Sequence, residues 1–355
     1  MDTLKRLQEK MKRYGMDAAL IMSDEQRFYL SGFKSSAGFM VVFTDSAYLF
    51  VDSRYFEAAK LRAAQLSYEV RLYRGKATEY ITALMKEKGL SVLYFEDDLI
   101  SFAGFRALHM GLTGIELKQM GSFISDLRMI KTLRELENIR RAQKESEDAL
   151  MRVMGKIGAG MTEREVALML EWEIRTRGMD ASFDFIVASG ENSSKPHAVP
   201  TDRKLQSGDF LTIDFGAKYM GYCADMTRTF AIGKPSDEMR RVYEVVREAK
   251  CAAERMIRAG LKGSEIDRAA RSVIEEAGYG AAFGHSLGHG VGVVVHEQPN
   301  FAPMYEREIP EGAVVSVEPG IYLEGRFGVR IEDLVFVDED EAVSLNTMTT
   351  ELIEL

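Results

Sequence analysis

"AGMTEREVALMLEWEIRTRGMDASF" (residues 159–183) and "AGLKGSEIDRAARSVIEEAGYGAAF" (residues 259–283) align without a gap at an offset of one hundred. Identical residues stand at Ala159/Ala259, Gly160/Gly260, Glu165/Glu265, Ile174/Ile274, Gly178/Gly278, Ala181/Ala281 and Phe183/Phe283. Each copy opens on a cap-like pair, Thr162 with Glu165 and Ser264 with Asp267, and runs as a helix to a glycine stop. Each is preceded by a helix, over about 134–154 and 237–258, and followed by strand-like sequence with a hairpin. Two amphipathic helices can match by chance. The alternative is a duplicated α/β unit, with two helices and a sheet in each half. Quasi-twofold symmetry of that kind puts a site where the sheets meet, fed by both halves.

Upstream of the repeat the pattern differs. "LKRLQEKMKRYG" reads as an amphipathic helix ending at Gly15, followed by the apolar strand "AALIM". "GFMVVFTDSAYLFVD" reads as two strands around a turn at Thr44–Ser46, "RYFEAAKLRAAQ" (54–65) as a helix, "SVLYFED" as a strand and "ISFAGFRALHMGL" as another helix. That alternation predicts a small α/β domain over residues 1–122. Around "SDLRMIKTLRELENIRRAQ" (125–143) long helices take over, so a second domain is expected over residues 123–355.

Bulk properties narrow the class. A chain of 355 residues, 46% hydrophobic and 28% charged, has the composition of a globular protein with room for two cores. Its net charge of −9 argues against a nucleic-acid binder. The N-terminal segment has no apolar signal-peptide core, and no run of about 18 apolar residues spans a membrane. Cys223 and Cys251, the only cysteines, make no disulfide framework, so a cytoplasmic setting is expected. The twenty methionines read as adaptable core filler.

The candidate chemistry follows each repeat. In "GDFLTIDFGAKYMGYCADMTRTF" (208–230), Leu211, Ile213 and Phe215 alternate with Thr212 and Asp214 as in a strand. A hairpin centred between Tyr219 and Met220 makes Asp214 and Asp225 direct cross-strand partners, with Cβ atoms about 4.5–5.5 Å apart. Two like charges so placed repel unless a cation lies between them. In "VVSVEPGIYLEGRFGVRIEDLVFV" (314–337), Glu318 and Glu332 are symmetric about Gly325, although Pro319 must interrupt regular pairing. Between these hairpins lies "GHSLGHGVGVVVHEQP" (284–299), which holds His285, His289 and His296 of the five histidines in the chain. Carboxylates with an imidazole suit a hard or borderline divalent cation, Mn²⁺ first, with Co²⁺ or Zn²⁺ as alternatives. A metal pair about 3.5–4 Å apart makes a bridging water hydroxide-like near neutral pH, able to attack a carbonyl. His109 reads as a surface or partly buried side chain, and Trp172, at helical spacing with Leu168, as packing. Cys223 shares strand parity with Asp225 and is expected near the site.

"IDFGAKYMGYCADMTRTF", "GHSLGHGVGVVVHEQP", "SVEPG" and "GVRIED", in that order, resemble the metal-site segments of the pita-bread metallopeptidases. That group includes methionine aminopeptidase, prolidase and aminopeptidase P. The likeness runs from about residue 130 to the C-terminus, and "YLSGFKSSAGFMVVF…FVDSRYFEAA" resembles the extra N-terminal domain of prolidase, aminopeptidase P and creatinase. The resemblance implies two divalent ions, most simply Mn²⁺, held by Asp214, Asp225, His289, Glu318 and Glu332. It makes Asp225 and Glu332 bridging ligands and Glu318 also the general base. It gives His285 and His197 substrate-side roles, His296 a hydrogen bond to the carbonyl oxygen as it becomes tetrahedral, and Arg330 the orienting of nearby carboxylates. All five ligand positions match the family pattern.

The resemblance implies an aminopeptidase acting on short peptides with proline second, whose prolyl nitrogen offers no N–H to an ordinary peptidase. "SSAGF…DSRY" leans that way. The alternative is a dipeptidase cutting only Xaa-Pro. A methionine aminopeptidase does not need residues 1–122, and a metal-free creatinase-like hydrolase or an inactive binding relative does not need the complete acidic set. A homodimer is also implied.

Overall fold

A computed structural model describes residues 3–63 and 67–355. Contacts divide the chain into one compact unit that runs to Leu127 and another spanning Arg128–Leu355.

The first unit is a mixed α/β domain. Its elements are α1 (Thr3–Tyr14), β1 (Ala18–Ile21), α2 (Asp24–Ser31), β2 (Phe39–Phe43), β3 (Ala47–Val51), α3 (Phe56–Ala63), β4 (Glu69–Leu72), α4 (Ala77–Glu87), β5 (Val92–Phe95), α5 (Phe102–Gly111) and β6 (Glu116–Gln119). The strands form one sheet ordered β4-β3-β2-β1-β5-β6. β1, β2 and β3 are buried at every position, which explains their continuous apolar runs. Leu4, Leu7 and Met11 supply the buried stripe of α1 at helical spacing. The helix expected over 54–65 is seen as α3, and its last two residues lie outside the described ones.

The boundary between units falls within α6 (Phe123–Met129). The second unit carries the duplication. Its first half holds α7 (Leu133–Met154), α8 (Glu163–Arg175), β7 (Asp180–Ala181), β8 (Ile186–Ser189), β9 (Phe210–Phe215), β10 (Ala217–Tyr219), β11 (Tyr222–Cys223) and β12 (Met226–Ala231). Its second half holds α9 (Asp237–Met256), α10 (Gly263–Glu276), β13 (Gly288–Gly290), β14 (Glu297–Phe301), β15 (Val314–Val317), β16 (Gly320–Leu323), β17 (Phe327–Arg330), β18 (Asp333–Val337) and β19 (Ala342–Ser344). α8 and α10 begin one hundred residues apart, as the repeat requires. Each half has its own apolar cluster, one built on Leu150, Val166, Leu170, Ile213 and Phe215 and the other on Val246, Ile266, Ala270, Val315 and Val335. The halves join where Thr227 and Glu332 form an antiparallel bridge between the sheet β12-β9-β8 and the loop entering β18.

Three expectations need correction. The first acidic hairpin pairs Lys218 with Cys223 and Asp214 with Thr227, so it centres between Met220 and Gly221. Asp214 and Asp225 are therefore diagonal neighbours on one face, not direct partners. The cause is the two-residue turn, where Met220 and Gly221 both take positive φ (48° and 84°), the pattern that matches strand twist. At the second repeat the helix begins at Gly263, where Lys262 N donates to Glu265 at 2.9 Å, the same offset as the Thr162–Glu165 box. Ser264 bonds Glu306 and Asp267 bonds Arg271 instead. Trp172 is 70% exposed beside Leu168 at 57%, so it does not pack in a core.

Candidate metal centre

All nine residues singled out from the sequence line one cavity of about 740 Å³: His197, Asp214, Asp225, His285, His289, His296, Glu318, Arg330 and Glu332. β9 delivers Asp214, and Asp225 sits where the ladder resumes after β11. His289 is the central residue of β13. Glu318 and Glu332 lie in register between the pairs Val317–Asp333 and Gly320–Arg330 of a hairpin centred on Gly325. The sheet breaks at Glu318–Pro319, where proline has no N–H to offer.

Hydrogen bonds hold several of these side chains. His289 Nε2 lies 3.1 Å from Glu318 Oε1 and 3.7 Å from Asp225 Oδ2. Its Nδ1 faces Gly290 O at 3.2 Å, and its ring meets that of His296 edge-on at 4.3 Å. Arg330, buried, donates to Asp214 Oδ2 at 2.6 Å, to Thr227 Oγ1 at 3.1 Å and to Tyr322 OH at 2.7 Å. Guanidinium only donates, so the Tyr322 and Thr227 hydroxyls must spend their own protons elsewhere. Thr227 Oγ1 donates to Glu332 Oε2 at 2.7 Å, and Tyr322 OH faces His285 Nε2 at 3.0 Å. With Nδ1 against Ser286 O at 2.8 Å, His285 is held as the tautomer protonated on Nδ1.

Thr227 and Tyr322 were not anticipated as site residues, though signals existed. Thr227 shares strand parity with Asp225. Tyr322 shares the face of Gly320, the register partner of Arg330. Glycine is needed at 320 because a Cβ there would lie 2.5 Å from the Tyr322 hydroxyl oxygen. His197 is exposed on the loop after β8, and His109 is exposed and stacked on Phe105. Cys223 is buried and turned to Val293 O at 3.6 Å, away from the cavity lining.

The electrostatics favour a cation. Burial, then the charges of Glu332 and Asp214, raise the Asp225 carboxyl well above its ordinary value. Burial, then Glu318 and Asp214, do the same to Glu332. Burial also raises Asp214, against the pull of Arg330. Glu318 is the exception: burial pushes it up, but the hydrogen bond and charge of His289, with His285 and Arg330 behind, bring it down to about 2. Burial pushes the Tyr322 phenol up to about 12 and lowers His285 and His296. Four carboxylates thus face one guanidinium. Asp214 Oδ1 and Glu332 Oε1 are buried without any hydrogen-bond partner, and atoms of Asp225, His289 and Glu332 lie within 4.8 Å of one another. Unpartnered buried acceptors around mutually repelling carboxylates, with one imidazole beside them, fit divalent cations.

Residues 137–339 match the metallopeptidase family M24 model, and residues 3–130 match the creatinase/prolidase N-terminal domain. The chain belongs to metallopeptidase family M24. An M24 enzyme with this N-terminal domain has the fold the resemblance implies, a creatinase/prolidase-like α/β domain followed by a pita-bread unit. Among solved structures, an Xaa-Pro dipeptidase from Bacillus anthracis is 36% identical, with a TM-score of 0.94 and coverage of 100% of this chain and 99% of that one. An X-Pro aminopeptidase from Thermotoga maritima is also 36% identical, at TM-score 0.93 and full coverage of both chains. An Xaa-Pro dipeptidase from Pyrococcus horikoshii is 34% identical over 99% of each chain. Among the described residues of this M24 chain, no helix is long and apolar enough to cross a membrane.

Proposed function

We propose that this M24 enzyme hydrolyses the bond between an N-terminal residue and a following proline in short peptides. The supporting observation is the buried cluster in which Asp214 Oδ1 and Glu332 Oε1 lack any partner. Asp214, Asp225, His289, Glu318 and Glu332 would hold two divalent ions, Mn²⁺ first. When bound, such ions would supply Lewis acidity and a water made nucleophilic at neutral pH.

The chain's own groups divide the remaining work. Glu318, kept ionised beside His289, accepts the proton released as water attacks. His296, at the rim beside His289, donates to the carbonyl oxygen as it gains charge. Arg330 ties one oxygen of Asp214 and, through Thr227, one oxygen of Glu332, leaving the other oxygen of each carboxylate facing the cluster. His285 and His197 orient the peptide from opposite halves. Because His285 Nε2 is engaged by Tyr322, it reaches a substrate proton only by exchanging that partner.

Aminopeptidase action is the finer reading, supported by the 36% identity to an X-Pro aminopeptidase over the full length of both chains. A dipeptidase is the second reading, favoured by relatives named Xaa-Pro dipeptidase. Chelated protein reloaded with Mn²⁺ and offered Xaa-Pro and Xaa-Pro-Yaa separates them. Cleavage of the tripeptide is expected; cleavage of the dipeptide alone supports the second reading. Equal turnover by fully chelated protein contradicts both.

A further inference from the structure

Glu163, the first residue of α8, and Asp267, in α10, are buried at 0% and 1% exposure, and neither lines the cavity. A buried carboxylate is costly unless its oxygens are satisfied. Glu163 is satisfied entirely by donors from the two ends of one loop. Ser189 gives its N–H at 2.7 Å and its hydroxyl at 2.8 Å, and Thr201 gives its N–H at 3.0 Å and its hydroxyl at 2.6 Å. Asn192 adds its amide at 3.2 Å. Between Ser189 and Thr201 runs the segment with His197. That segment also touches the second half, where Gly328 N donates to Ser193 Oγ at 2.9 Å and Arg330 donates to Pro196 O at 3.3 Å.

The second half repeats the device with different atoms. Asp267 takes Arg271 in a bidentate pair at 2.7 and 2.9 Å and accepts Leu287 N at 3.1 Å. Arg271 donates in turn to Phe283 O at 3.0 Å and to His285 O at 2.9 Å, with its guanidinium 4.3 Å from the Phe283 ring centre. Leu287 O then accepts the N–H of Glu318 at 2.8 Å. In both halves, a carboxylate from the second helix of the duplicated unit holds main chain around a cavity histidine, Glu163 directly and Asp267 partly through Arg271.

We propose that Glu163 and Asp267 are positioning residues, one per half, that fix the His197 and His285 loops so both imidazoles face a bound peptide. This rests on the peptidase reading above. A structural anchor alone would alter stability and leave turnover by the folded protein intact. A positioning residue alters turnover while the ions still bind.

Glu163→Gln and Asp267→Asn keep the shape but turn an acceptor oxygen into an amino group facing donors. In the full-length protein, kcat for a proline peptide should fall about 10–100-fold, the usual loss when an orienting partner is removed. Calorimetric Mn²⁺ affinity should stay at the wild-type value. Hydrogen exchange should accelerate over residues 190–200 in the first variant and 283–287 in the second. Wild-type kcat in a folded variant overturns the proposal, as does a parallel loss of Mn²⁺ affinity. If either variant fails to fold, Thr201→Val removes only the hydroxyl tie to Glu163 while the Thr201 N–H bond remains, and Arg271→Lys keeps the charge but loses the forked contacts to Asp267, Phe283 O and His285 O; a smaller fall in kcat with the same exchange pattern is expected, and wild-type kcat again overturns it. A wild-type protein that cleaves no proline peptide refutes the peptidase reading instead, and the exchange measurement still tests whether the two carboxylates hold these loops.

Discussion

Thr227 and Glu332 are joined twice: Glu332 N donates to Thr227 O at 3.1 Å, and Thr227 Oγ1 donates to Glu332 Oε2 at 2.7 Å. The bridge between the duplicated halves is thus also the bond that orients a carboxylate of the candidate metal centre. Thr227→Val keeps the shape and the main-chain bond but removes the hydroxyl. Mn²⁺ affinity should fall about 10–100-fold, and stability should drop by about 1–3 kcal/mol because Arg330 Nε loses its acceptor. Calorimetric titration and thermal melts check both; unchanged affinity would show that Glu332 needs no such orientation.

His296→Ala should lower kcat about 10²–10³-fold, the loss expected for one donor to a developing oxyanion. The residue is exposed, so the melting temperature should change little. Wild-type kcat in this variant would remove the assignment.

The metal-free protein should lose stability as pH rises. Asp225 and Glu332 have folded-state values raised well above 3.8 and 4.5, chiefly by burial and then by their carboxylate neighbours. From those ordinary values up through the raised ones, the folded state holds more protons than the unfolded chain, so unfolding becomes easier with increasing pH. Bound cations reverse the repulsion and displace the protons. Melting curves with and without chelator across that window should diverge as pH rises, and the heat of Mn²⁺ binding should depend on the buffer's ionisation enthalpy. Parallel curves would contradict the account.

Much of this is legible in the sequence. The repeat set two helix pairs, each followed by strands, and the symmetric spacing of Glu318 and Glu332 about Gly325 put them opposite one another. The first hairpin slipped because its turn uses a positive φ at Met220, which side-chain patterning does not signal. Thr227 was hidden by that slip, since in the true register it stands opposite Asp214. In the first unit, β4 (EVRL) and β6 (ELKQ) are short strands without fully buried positions, and so carry no periodicity to read. Tyr322 was passed over for another reason: its face was readable, but its role is a hydrogen-bond chain between Arg330 and His285, and such chains leave no spacing rule.

Trp172 offers a small independent check. Exposed at 70%, it should tolerate Trp172→Ser with a stability change within about 0.5 kcal/mol, as surface replacements do. A larger loss in a thermal melt would mean that the residue is covered in solution.

The most direct test of the central claim, that carboxylates and one imidazole from both halves hold a pair of divalent ions, is anomalous diffraction at the manganese edge from crystals equilibrated with Mn²⁺. Two peaks are predicted among Asp214, Asp225, His289, Glu318 and Glu332, and both should vanish in Asp225→Asn. No peak within that cluster, with Mn²⁺ bound elsewhere or not at all, would contradict it.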